Sequence, residues 1–389
     1  FIQAKKIHVE SVLSMIGHWM GYSLSFHPKC LRTHADLPQE WDTWTQYSNK
    51  HDIVINVATG EESENENAEK REILERFFRS DGSRGLIVNG APGTGKTYFC
   101  AHYLKKILSI RKQSKSRIRW RYYTVNKHLA EHFSDSVIPV FTRSDPEFNL
   151  DLERSDGTSS PISEVFRELI PNLDLEKSWN RDRGIGLLTF SVFKEKIREF
   201  YNTNSIKNSG VKCPPIADAW MLYNHIIHDP VTGNRTEELT EKKFYEMNKN
   251  LRFLLRKSEI NAFIKFHQDI HRGWYTYSYS SYLSRIRFEK LTNKEKSKLM
   301  LDVLIVDEVQ DISPPVMALL LELMKPGFKS HSIVIAGDTL QTVNRSGFEW
   351  IKFSESTAKS LENSNHPDRS SLSQFGVYDE NELSRFRET

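Results

Sequence analysis

Gly90-Ala91-Pro92-Gly93-Thr94-Gly95-Lys96-Thr97 lies between a short apolar run, Leu86-Ile87-Val88, and a stretch that sets Phe99, Leu104, Ile107 and Leu108 on one helical face. The run suits a parallel strand buried on both sides, and the spacing after it suits an amphipathic helix. Glycines between them let the backbone curl so that its N–H groups point at an anion. The helix beginning near Lys96 adds the positive end of its dipole. The spacing GxxxxGK(S/T) then supplies a lysine for β and γ phosphates and a hydroxyl, Thr97, for a magnesium ion. These eight positions predict a strand–loop–helix unit of a P-loop α/β fold, with ATP and Mg2+ as the expected ligands.

Downstream, Asp307-Glu308-Val309-Gln310-Asp311 follows directly on the apolar run Leu304-Ile305-Val306. A buried parallel strand delivers the residues after it to the edge where open α/β sheets hold ligands. Asp307 is therefore expected to reach the Mg2+ held by Thr97, and Glu308 to act as the base that orients and deprotonates an attacking water. A cation between neighbouring carboxylates offsets their repulsion. A third run, Ile333-Val334-Ile335-Ala336, ends in Gly337-Asp338-Thr339-Leu340-Gln341, and Gln341 is the candidate sensor of the γ phosphate. The catalytic candidates are thus Lys96, Glu308 and Gln341.

Composition sets the frame. The chain has 389 residues, enough for two or three domains. With 54 basic and 51 acidic residues its net charge is only +3, so any basic surface for nucleic acid must be local. The three cysteines, Cys30, Cys100 and Cys213, form no CxxC pair, which fits an intracellular, reducing compartment. Cys100 is expected to be a buried structural thiol. No apolar run approaches the ~20 residues that span a bilayer, so no membrane partner is expected. The chain opens on Phe1 rather than Met, as a fragment that has lost a targeting segment would.

Along the chain, residues 1–60 carry scattered tryptophans and a strand-like run, Asp52-Ile53-Val54-Ile55-Asn56-Val57, without assignable chemistry. Residues 61–130 read as the first part of the α/β lobe: an acidic linker, a helix over 69–79, the phosphate loop and its helix, and a second strand over 120–125. Residues 131–295 read as a mostly helical insertion. Residues 296–352 return to the lobe, with an apolar helix over 316–324 introduced by Pro314-Pro315. Residues 353–389, rich in Ser and Asn, read as a flexible tail or connector.

Taken in order, these stretches resemble the UvrD/Rep-like superfamily 1 helicases. Gly90–Thr97 resembles the family's motif I, Asp307–Asp311 its motif II (DExQD) and Gly337–Gln341 its motif III (GDxxQ). Tyr123-Thr124-Val125-Asn126-Lys127 is similar to motif Ia, and Leu188-Thr189-Phe190-Ser191-Val192-Phe193 to a TFHSF-type segment. The resemblance spans about residues 68–352. It implies a RecA-like lobe with an inserted helical subdomain, ATP hydrolysis with Mg2+, and a single-stranded DNA path (RNA being the other candidate) near Thr124, Asn126, Lys127, Thr189, Phe190 and Phe193. Lys70 stands where the family has an adenine-reading Gln, and Asn344 where it has a base-stacking aromatic, which leaves Phe348 and Trp350 as stacking candidates. Motifs IV to VI of a second lobe are not present, so that lobe is expected in cis beyond Thr389 or in trans. Two other readings use the same residues: an ATP-binding switch that gates a nuclease or other effector, and a scaffold whose helical insertion binds a protein partner.

Overall fold

The computed structural model describes residues 53–56, 86–89, 96–111, 117–170, 172–175, 185–203, 216–229, 231–236, 238–248, 256–270, 273–328, 332–337, 350–362 and 364–373. Its frame is one sheet of six strands: β1 (Ile53–Asn56), β2 (Leu86–Asn89), β3 (Arg119–Thr124), β4 (Asp156–Pro161), β8 (Val303–Val306) and β9 (Ile333–Gly337). The spatial order is β1-β2-β9-β8-β3-β4. A second, small sheet joins β5 (Leu173–Asp174), β6 (Ile185–Leu187) and β7 (Trp274–Tyr275). Every pairing in the large sheet is parallel. The protein is thus α/β, as its phosphate-loop pattern predicts.

The apolar runs form the centre of the sheet because both of their faces are covered. All of Val303, Leu304, Ile305 and Val306 are buried, and so is all of β9. Side chains alternate between two cores, as the pleat requires. Val303 and Ile305 join Val334, Ala336, Trp120 and Tyr122 on the face covered by the helix Lys96–Ile110. Leu304 and Val306 join Ile333, Ile335 and Tyr123 on the opposite face, covered by the helix Pro314–Glu322. The double proline predicted to start that helix does so at its first positions.

Three differences from the sequence reading concern the extent of the lobe. Of the stretch 353–389, read as a flexible tail or connector, the described residues carry the helices Trp350–Leu361 and Arg369–Ser373, and Phe353, Leu361 and Leu372 join the core beside the helix Pro314–Glu322. The strand expected in the unassigned region 1–60 is β1, and it pairs in parallel with β2, so those residues belong to the lobe. The stretch 131–295, expected as one helical insertion, divides. Phe133, Val137, Phe141 and Phe148 pack against the sheet, and β4 extends it beyond β3. A separate core runs from Leu188 to Trp274, built by the helices Phe190–Asn202, Ile216–Ile227, Glu241–Asn248 and Lys257–Ile270. The chain enters that helical unit through β6 and leaves through β7, and these two strands pair side by side. The helices Tyr277–Lys290 and Asn293–Leu299 then lead back to β8.

β4 reads Asp-Gly-Thr-Ser-Ser-Pro, a poor strand by propensity. Its place at the sheet margin tolerates that, and Trp120 of β3 holds it. The indole Nε1 donates to Ser155 Oγ at 2.9 Å, and the ring lies so close over Gly157 that a Cβ there would sit 1.7 Å from it. Three helices around the second core face are tied by one buried ion pair. Arg285 Nε and Nη2 donate to Glu322 Oε2 and Oε1 at 3.0 and 2.8 Å, and Nη2 also donates to Ser360 O at 2.6 Å. No helix among the described residues is long and apolar enough to cross a membrane.

Removing one partner of a buried pair strands the other charge. Glu322→Ala is therefore expected to lower the unfolding free energy by about 3–5 kcal/mol. The double variant Arg285→Met/Glu322→Leu should recover most of that loss. Urea denaturation reads both, and an unchanged midpoint for Glu322→Ala would remove this tie from the account of the fold.

Candidate functional site

Because all six strands run the same way, the ends of β2, β9, β8 and β3 share one edge of the sheet. Lys96 and Thr97 open the helix after β2, Asp307 and Glu308 follow β8, and Thr124 closes β3. Residues 210 positions apart in sequence meet there: Thr97 Oγ1 donates a hydrogen bond to Asp307 Oδ2 at 2.9 Å. The two residues expected to share a Mg2+ ion thus stand side by side at this edge. Lys96 is buried at the start of its helix. The rest of the expected phosphate loop, Gly90, Ala91, Pro92, Gly93, Thr94 and Gly95, lies outside the described residues, as do Gln341, Phe348, Lys70 and Asn344. Trp350 is the first residue of the helix Trp350–Leu361.

Asp307 is fully buried and held by three donors. Besides Thr97, Tyr122 donates its phenolic O–H to Oδ2 at 2.6 Å, and the Glu308 backbone N–H donates to Oδ1 at 2.9 Å. Its own N–H donates to Tyr123 O at 2.9 Å, extending the β8–β3 ladder by one residue. A carboxylate taken out of water is costly unless it has such partners. The donor set also fits a hard cation. Thr97 gives its one O–H to Asp307 and so keeps its oxygen lone pairs available, and oxygen ligands are what Mg2+ selects. Among the described residues no group of three or more His, Cys, Asp or Glu side chains could hold a metal. A magnesium site of one carboxylate, one hydroxyl and substrate phosphates has no such group.

Glu308 stands in the left-handed region at φ 55° and ψ 46°. A glutamate in this conformation is strained, by about 1–3 kcal/mol, and such residues gather at functional sites. The turn aims its half-buried carboxylate away from the strand and into reach of Gln310, whose Nε2 donates to Glu308 Oε2. Asp311 stands at the rim, yet its carboxyl is pushed up to about 6, first by partial loss of water around it and then by the Glu308 carboxylate. Behind the site, burial first and Asp307 second push the Cys100 thiol far up, so it is the inert structural thiol expected from its position.

The candidates for nucleic-acid contact divide. Asn126 and Lys127 are exposed at the sheet edge, where Asn126 Oδ1 caps the helix Lys127–His132 by accepting from His128 N at 2.9 Å. Phe190 is also exposed, and Thr189 caps its helix by accepting from Val192 N. Thr124 and Phe193 are not on a surface. Thr124 is fully buried, and its Oγ1 accepts from Asn126 N at 3.4 Å. Phe193 is fully buried, with its ring 4.9 Å from Trp220 and 5.4 Å from Tyr223 and Phe266. Thr124 thus fixes the backbone at the end of β3, and Phe193 belongs to the core of the helical unit; neither faces solvent. Tyr122 is the site residue that sequence reasoning missed. A tyrosine alternating with other aromatics on a strand carries no mark of its polar partner.

No protein-family model matches the chain, and no curated protein is significantly similar to it.

The strained turn predicts an unusual variant. Glu308→Gly removes both the left-handed strain and the charge facing Asp311, so its melting temperature should rise, by about 1 kcal/mol of added stability. Glu308→Gln keeps the strain and should gain less; equal melting of the two would contradict the turn geometry. Asp311 makes the second prediction. Its proton is held more tightly in the folded protein than in the unfolded chain, so the stability it contributes is full at low pH and is lost as pH rises through about 6. Asp311→Asn should therefore stabilise the protein above about pH 7, with the gain vanishing below about pH 4. Denaturation midpoints across that range read it.

Proposed function

We propose that this chain is the ATP-binding and hydrolysing lobe of a UvrD/Rep-like superfamily 1 DNA helicase or translocase. The observation that carries the reading is the Thr97–Asp307 hydrogen bond, which joins the residue after GxxxxGK to the first acid of DExQD at one sheet edge. Parallel pairing brings both patterns to one rim, and what supports the reading is that the groups meeting there, from positions 210 apart, are the hydroxyl and the carboxylate that a Mg2+–nucleotide site needs.

In this reading the buried Lys96 and the positive end of the helix Lys96–Ile110 attract phosphate oxygens. Thr97 and Asp307 are the residues that hold Mg2+, which supplies charge neutralisation at the β and γ phosphates. Glu308, turned out of the strand by its left-handed backbone, is the base that orients water and takes its proton. Gln310 fixes the direction of that carboxylate. Single-stranded DNA crosses the same edge at Asn126 and Lys127, and Phe190 offers an exposed ring for stacking. A second lobe, in cis or in trans, supplies the arginine that in such enzymes is worth ~10³–10⁵ in rate. The reading places the chain inside the cell, in DNA repair or antiviral defence.

The test is ATP hydrolysis by the purified chain with and without single-stranded DNA, beside the Glu308→Gln variant. Turnover that rises with DNA and falls about 10²–10⁴-fold in Glu308→Gln is expected. Hydrolysis that Glu308→Gln leaves intact would overturn the assignment of the base. Nucleotide binding without DNA-dependent turnover would favour a switch that gates another activity.

A further inference from the structure

We infer that Tyr122 is a positioning residue for Asp307, and that its hydroxyl decides which carboxylate oxygen serves the divalent cation. The inference rests on reading the site as one for a Mg2+–nucleotide complex. Its basis is a count of lone pairs. An ionised carboxylate accepts about four hydrogen bonds, two on each oxygen. Asp307 Oδ2 receives O–H from both Tyr122 and Thr97, at 2.6 and 2.9 Å, and is thereby filled. Oδ1 receives the Glu308 N–H at 2.9 Å. The capacity left for a cation, or for water in its shell, is on Oδ1.

Tyr122 is built to hold this role. Its ring is fully buried on the core face of β3 and stacks on Phe133, with centroids 3.9 Å apart and planes 7° from parallel. Phe133 opens a π-helical turn, Phe133–Val137, directly after the helix that Asn126 caps. The phenol is thus clamped between an aromatic ring and the Asp307 carboxylate. Without Tyr122, Thr97 and the Glu308 N–H would leave one acceptor position open on each oxygen. The Tyr122 O–H takes the second position on Oδ2 and leaves Oδ1 as the oxygen open to a cation. Partners of this kind, which touch a metal ligand rather than the metal, are typically worth about 10–100-fold in metal affinity.

The test uses the full chain and a fluorescent ADP analogue, titrated with MgCl2 and, separately, bound in EDTA. Tyr122→Phe keeps the ring and its stacking, so it should fold. It is expected to need about ten times more Mg2+ for half-maximal enhancement of nucleotide binding, while its affinity in EDTA stays that of the parent. Tyr103→Phe, which removes another buried hydroxyl from the same core, should leave the Mg2+ requirement unchanged. Should Tyr122→Phe not fold, Phe133→Leu, which loosens the clamp, should shift the Mg2+ requirement in the same direction by a smaller factor. Identical Mg2+ titrations for parent and Tyr122→Phe, or for parent and Phe133→Leu if that variant carries the test, would overturn the inference and leave the nucleotide site standing. A parent chain that binds no nucleotide in either condition would overturn both.

Discussion

Parallel pairing of short, doubly buried strands is the constraint from which the rest of this structure follows. β8 and β9 expose no polar side chain on either face, so they can exist only inside a sheet with cover on both sides. A parallel arrangement forces every chain connection to leave from one edge and return to the other. The polar residues that follow each apolar run are consequently gathered on one rim without any direct attraction having to bring them there. Thr97 and Asp307 are neighbours because β2 and β8 flank β9, and the hydrogen bond between them is the last step of that geometry rather than its cause.

At the rim the energetics reverse. The sheet interior is apolar and satisfied, whereas Asp307 is a fully buried carboxylate, Glu308 carries a left-handed backbone, and the Asp311 carboxyl is pushed up by partial loss of water and then by Glu308. Each of these costs stability, and the apolar layers on both sheet faces are large enough to absorb it. Such local disagreement with the rules of folding is expected where a residue is kept for chemistry rather than for packing. The three donors on Asp307 show how the cost is contained: a hydroxyl from the helix after β2, a phenol from β3 and a backbone amide from its own turn each come from a different part of the lobe.

How much of this was legible in the sequence depends on whether a residue's task shows in its neighbours. Leu86-Ile87-Val88, Val303–Val306 and Ile333–Gly337 were readable because an unbroken apolar run bounded by glycine or acid admits few alternatives. Thr97 and Asp307 were readable from spacing. β4 was not, because a polar Asp-Gly-Thr-Ser-Ser-Pro string becomes a strand only through the Trp120 ring and the open margin of the sheet. Phe193 and Phe190 sit three residues apart with the same side chain, yet one is core and the other exposed. Which face of that helix turns inward is settled by Tyr223 and Phe266, far along the chain. Tyr122 was invisible for the same reason: its partner is 185 residues away.

The side-by-side pairing of β6 and β7 has a meaning for how such a protein can change over generations. Where the two ends of an inserted unit lie next to each other and hydrogen-bond as neighbours, the unit resembles a cassette in a slot. Its length and contents can be rewritten, or exchanged for another unit with equally close ends, while the flanking strands keep their register with the lobe. Lineages sharing this sheet lobe would then be expected to differ most between these two strands, and the ancestry of the lobe would be easier to trace than that of the helices it carries.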